Sequence, residues 1–125
     1  MIIASTDYVS QMQSSSRISK AYGVFDGDDI VITLTSADPG VKRPCVWGVF
    51  WNYFTLAPTD GGLSIVFDAV TYWDTVIVAA GGGSVQFHGG LMSALNDDCE
   101  ITLLYGTTPD QAGTLIAFYS FEDVA

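Results

Sequence analysis

Apolar and polar residues alternate along most of this chain. Ile30, Ile32 and Leu34 interleave with Val31, Thr33 and Thr35. Leu63, Ile65 and Phe67 do so with Ser64, Val66 and Asp68, and Val85 and Phe87 with Ser84, Gln86 and His88. Successive side chains of a strand point to opposite faces, so a period of two marks strands with one face in a core. Turn-forming clusters separate the runs: Asp26-Gly27-Asp28-Asp29, Ala37-Asp38-Pro39-Gly40, Pro58-Thr59-Asp60-Gly61-Gly62, Gly81-Gly82-Gly83, and Thr107-Thr108-Pro109-Asp110 before Gly113. The pattern predicts strands near residues 17–25, 29–36, 44–54, 62–69, 74–80, 84–88, 99–106 and 113–121. Eight short, evenly punctuated strands predict an all-β antiparallel sandwich, and that number in a chain of 125 residues selects the jelly roll. The only helical candidate is a turn or two at Leu91–Leu95, weakened by Gly89-Gly90 just ahead of it.

One stretch departs from the alternation. Cys45, Trp47, Val49, Trp51 and Tyr53 would form one face of a strand, and Val46, Gly48, Phe50 and Phe54 the other, so both faces are apolar. Such a strand is either covered by a second layer or meets a partner with its second face. Trp and Tyr combine large area with a polar handle and are enriched at interfaces. That makes Trp47, Trp51, Tyr53 and the separate Trp73 candidates for an interface, or for a platform on which sugar rings stack.

The N-terminal end reads differently. Ser10-Gln11-Met12-Gln13-Ser14-Ser15-Ser16 is a polar, low-complexity run with little to bury. Residues 1–16 are expected to form an arm or loose extension, and residues 17–125 a single β domain.

Composition sharpens the reading. Only 14% of the residues are charged, against about 25% in an average soluble domain, while 49% are hydrophobic. A chain so poor in charge has trouble covering its own surface, which predicts burial of part of it against copies of itself, a trimer by analogy with jelly-roll virion proteins, or against another protein. The net charge of −10 comes from fourteen acidic and four basic residues. Nucleic-acid binding needs clustered Lys and Arg, and only Lys42-Arg43 forms a cluster. Anionic membranes are disfavoured for the same reason. Lys42 and Arg43 are expected at a loop, in ion pairs with a neighbouring subunit or partner. The start, Met1 to Asp7, lacks the basic region of a signal peptide, and no run is apolar and long enough for a membrane helix. Cys45 and Cys99 then read as reduced thiols of a cytoplasm, with a disulfide between them as the alternative.

Catalytic devices are scarce. His88 is the one histidine, so no site with two or three His ligands forms within a chain, and any Ser-His-Asp triad would have to use it. No Gly-x-Ser-x-Gly elbow occurs. Gly81-Gly82-Gly83-Ser84 is followed by a strand pattern and no Lys, unlike a phosphate cradle. Asp26, Asp28 and Asp29 are the weak candidates for a Ca²⁺ loop. They lack EF-hand spacing, and aspartates in turns ordinarily bond their own backbone. No cofactor is expected.

These features predict a non-enzymatic structural or assembly protein. Its natural setting is a virion accessory role of the capsid decoration or cement type, made in a host cytoplasm, oligomeric, and docked on a shell. The alternative is a carbohydrate-binding β-sandwich module using surface Trp residues with Ca²⁺ at residues 26–29. No motif identifies a family.

Overall fold

The computed structural model describes residues 18–93 and 97–123. The polar run read as an arm lies outside them. Eight strands follow in order: β1 (Ser19–Val24), β2 (Ile30–Thr35), β3 (Lys42–Tyr53), β4 (Gly61–Phe67), β5 (Val70–Ile77), β6 (Gly81–Met92), β7 (Asp98–Leu103) and β8 (Gly113–Asp123). They form two antiparallel four-stranded sheets, ordered β1-β8-β3-β6 and β2-β7-β4-β5. In each sheet a late strand is inserted between two early ones, which is the double Greek key of a jelly roll.

The alternation places the core where the sequence pattern puts it. Ile30, Ile32 and Leu34 of β2, Leu63, Ile65 and Phe67 of β4, and Cys99, Ile101 and Leu103 of β7 all point inward and are buried. From the other sheet come Ala21, Val46, Val49, Tyr53, Leu115 and Ala117. Each fully buried Leu, Ile or Phe contributes about 1.5–3 kcal/mol relative to exposure.

Strand β3 carries a bulge between Val46 and Gly48. The extra residue reverses the phase of the pleat. Val46 points inward on one side of the bulge, and Val49 and Tyr53 on the other, so no single alternation describes the strand. The uniform face drawn from Cys45 to Tyr53 is therefore two half-faces. Cys45 is buried outside the core, its Sγ against Gly90, and is not bonded to Cys99.

Two glycines set close approaches. A Cβ on Gly23 would lie 2.6 Å from Cγ2 of Ile30, so β1 passes directly over β2. A Cβ on Gly83 would lie 2.4 Å from the Trp51 ring, which spreads over bare backbone. Gly81-Gly82-Gly83 is thus the opening of β6, paired with Tyr53, Asn52 and Trp51, and not the turn its composition suggested. The strand continues to Met92, which replaces the helical turn expected from Leu91 onward. Leu95 lies outside the described residues.

Candidate functional site

The outer faces of the two sheets are where the molecule meets its surroundings. On the β1-β8-β3-β6 sheet the registers align Tyr22, Ile116, Phe50 and Ser84 in one row across all four strands. The next row holds Val24, Thr114, Asn52 and Gly82. Tyr22 is 54% exposed, Val24 57% and Phe50 37%. Phe50 and Phe118 meet edge to face at 5.5 Å, which fixes the ring in the middle of the sheet. Shallow depressions flank it. One of about 420 Å³ is lined by Phe50, Asn52, Gly82, Ser84, Thr114 and Ile116. Another of about 320 Å³ is lined by Trp47, Gly48, Phe50, Gln86 and Phe118. Gly82 and Gly48 supply no side chain, and the hollows are where side chains are missing.

This apolar surface was not singled out from the sequence. Of the aromatic residues expected there, Tyr53 is wholly buried. Its hydroxyl donates to Leu104 O at 2.7 Å and accepts from Gly62 N at 3.3 Å, and burial pushes its pKa upward. Trp51 and Trp73 pack against the core and are only half-exposed. Trp47 does lie on the outer face. Its Nε1 donates to Ser120 Oγ at 2.8 Å, and Ser120 donates in turn to Glu122, so its ring is anchored at the rim of the second depression. The signal that would have found Phe50 is parity. Once Trp51 and Tyr53 are assigned to the core, Phe50 and Asn52 must face out.

The basic pair is also placed differently. Lys42 and Arg43 open strand β3 instead of lying in a loop. Lys42 Nζ lies 2.7 Å from Asp123 Oδ1, a contact that raises the lysine pKa, and Arg43 Nε lies 2.9 Å from Asp97 Oδ1. Both acids belong to the same chain.

Asp26, Asp28 and Asp29 sit in the exposed β1–β2 turn. Asp28 Oδ1 accepts the amide of Asp29 at 2.8 Å, and Asp29 Oδ1 accepts that of Tyr105 at 2.8 Å. These carboxylates hold the turn and tie it to the segment after β7. Among the described residues no group of three or more His, Cys, Asp or Glu side chains is placed to hold a metal ion. His88 is exposed on β6, and burial raises the pKa of the Cys99 thiol, which keeps it protonated and unreactive.

No protein-family model and no curated protein matches the chain. Solved structures give weak likenesses. A carbohydrate-binding module of family 36 in complex with calcium and xylotriose is 15% identical over 83% of this chain and 79% of that one, with a TM-score of 0.38. The Tobacco streak virus coat protein is 15% identical over 79% and 84%, with a TM-score of 0.36. A further family 36 module, from a multidomain xylanase of the Trinervitermes trinervoides hindgut metagenome, is 12% identical over 83% and 76%, with a TM-score of 0.34. At these identities and scores the likenesses carry no argument about function, and the jelly roll stands on the strand order itself.

Proposed function

We propose that this chain is a non-enzymatic assembly protein that oligomerises and docks on a larger protein surface through the outer face of the β1-β8-β3-β6 sheet. A virion shell is the setting its overall character fits, with synthesis in the host cytoplasm. The observation that carries the reading is the row Tyr22–Ile116–Phe50, an aromatic and aliphatic strip left partly in solvent on a pleat whose inward positions already complete the core. Exposed apolar surface rimmed by polar residues is characteristic of interaction sites. Here Asn52, Ser84, Gln86 and Thr114 form the polar surround. A chain at −10 meets a neutral or basic surface with the least electrostatic cost, and this face brings no acidic side chain to the two central rows.

A second reading has one observation in its favour. The depressions beside Phe50 combine an aromatic ring with amide and hydroxyl groups, the combination that binds a sugar. In that reading Phe50 and Trp47 would be the platform, since Trp51 and Trp73 pack against the core.

Gradient sedimentation of shells assembled with and without the chain decides between them. The assembly reading expects the wild type to travel with the particle in fixed stoichiometry and Phe50→Asp to stay at the top of the gradient. A wild-type chain that stays at the top while binding a soluble glycan panel overturns it.

A further inference from the structure

The two long sides of the sandwich are not alike. On one side β1 and β2 close on each other, Gly23 against Ile30, and both are sealed into the core. On the other side run β5 and β6, each the outermost strand of its sheet. Between them the Trp73 and Phe87 rings meet edge to face at 6.0 Å, and both remain half-exposed with Val85. The link between the strands adds Val78, 73% exposed, and β5 adds Val76, 77% exposed. A hollow of about 310 Å³ opens there, bounded by Trp51, Trp73, Val76 and Val78.

Strand β6 is the longer of the two edges. Its twelve residues span roughly 40 Å at strand rise. Among the described residues it pairs with β3 alone, so the amides and carbonyls of its outer edge are offered to another strand. Proteins that keep such an edge monomeric usually place Lys, Pro or an inward charge on it. From Gly81 to Met92 there is no charged residue and no proline.

We infer that a second copy of this chain covers this side, with β6 pairing antiparallel to β6 of its mate about a two-fold axis. The inference rests on the assembly reading above. The choice of occupant comes from charge. Two copies at −10 repel, and the cost of bringing them together is least where neither carries charge along the contact; β6 is such a place, with Asp74 the one charged residue on β5. A basic partner would gain nothing from an uncharged seam. Antiparallel pairing of a strand with itself is also self-complementary, as a two-fold interface requires. The result is one continuous eight-stranded sheet with Phe87 near its middle and Trp73 of β5 packed against that seam, and a dimer in place of the trimer expected by analogy.

Sedimentation together with amide hydrogen exchange on the full chain tests this. The wild type is expected to sediment at twice 13.4 kDa at micromolar concentration. The β6 amides should exchange at least about tenfold more slowly as dimer forms, with those of β1 unchanged. The double variant Val78→Glu/His88→Glu, at two exposed positions, is expected to be monomeric and to melt where the wild type melts once diluted below its dimer range, because it adds negative charge along the seam. Phe50→Asp should remain dimeric while losing the shell, which separates the seam from the docking face. A wild type that is monomeric throughout, a trimer, or a dimer whose β6 amides exchange as fast as the monomer's would overturn the inference. The exchange experiment needs no variant, so misfolding of the double variant leaves the test intact.

Discussion

Across the β1-β8-β3-β6 sheet one row of outward side chains reads Tyr22, Ile116, Phe50, Ser84. Across the opposite sheet the corresponding rows read Thr33, Glu100, Val66, Thr71 and Val31, Thr102, Ser64, Asp74. Both sheets obey the same inward rule, Ile, Leu, Val and Phe on alternate positions. What lies on the outward positions is free of that rule. The back face fills its central rows mostly with hydroxyls and carboxylates, as a solvated sheet does, with Val31 and Val66 among them and Val76 and Leu104 exposed toward one end. The front face does not, and the difference is the reason to place function on the front. Inward residues are set by packing, whereas outward ones report what the sheet meets.

The largest expected effect tests the boundary between the front face and the core. Tyr53→Ala should cost about 3–5 kcal/mol in urea denaturation, because it empties a fully buried site and leaves Leu104 O and Gly62 N without their hydroxyl partner. Phe50→Ala, three residues away on the opposite side of the pleat, should cost less than about 1.5 kcal/mol. Equal costs would mean that the two positions are equally buried and that no front face exists.

Next comes the contrast between faces in binding. Phe50→Asp should weaken docking by at least about thirtyfold, the scale of a central hot spot. Thr33→Asp, in an outward row of the back face, should leave it within about twofold. If both variants lose docking alike, added charge and not position is responsible, and the comparison between faces fails.

A smaller effect concerns the acids beneath the sheets. Tyr53 and Cys99 both have pKa values raised by burial, so the folded state holds their protons more tightly than the unfolded chain does. Their contribution is fully present below the unfolded values, about 9 for the thiol and 10 for the phenol, and is lost as pH rises beyond them. Unfolding free energy should fall by up to about 1 kcal/mol between pH 9 and 10 from the thiol alone. Cys99→Ala should flatten that part of the curve. A wild type equally stable at pH 8 and 10 would mean that the thiol is in contact with solvent.

The smallest effect is at the basic pair. Lys42→Ser should leave both melting temperature and docking unchanged, since its contact with Asp123 is exposed and screened by water. Arg43→Ser is the control that should destabilise, because Arg43 is buried beside Asp97. Docking lost with Lys42→Ser at constant stability would restore the basic pair as a contact and weaken the case for the apolar strip.

The strands were legible because their inward residues alternate without interruption in β2, β4 and β7, where even the ends fall within three residues of the expected positions. The errors cluster in β3, β5 and β6, with β5 opening at Val70, four residues before its expected start. Trp47, Trp51 and Tyr53 were assigned one face because a bulge has no composition of its own. It shows only when Val46 and Val49 are both found inside. Gly81-Gly82-Gly83 carried the composition of a turn, but its glycine serves to let the Trp51 ring lie flat, a requirement set by a residue thirty-two positions earlier. Lys42 and Arg43 find Asp123 and Asp97, partners brought near only by the fold. The front face escaped notice for the same reason, since Tyr22, Phe50 and Ile116 become neighbours only through strand order.

That strand order also has a consequence in time. Strand β8 sits between β1 and β3, and β7 between β2 and β4. A ribosome delivers β1 and β3 long before the strand that must join them. Until β8 emerges, β1 has no neighbour in its sheet, β3 shows one bare edge, and the sandwich cannot close in the order in which it is made. Chains dominated by such distant pairings fold in milliseconds to seconds. Closure therefore waits for the final strand, and a nascent chain halted before Gly113 holds its core strands open to whatever else is nearby.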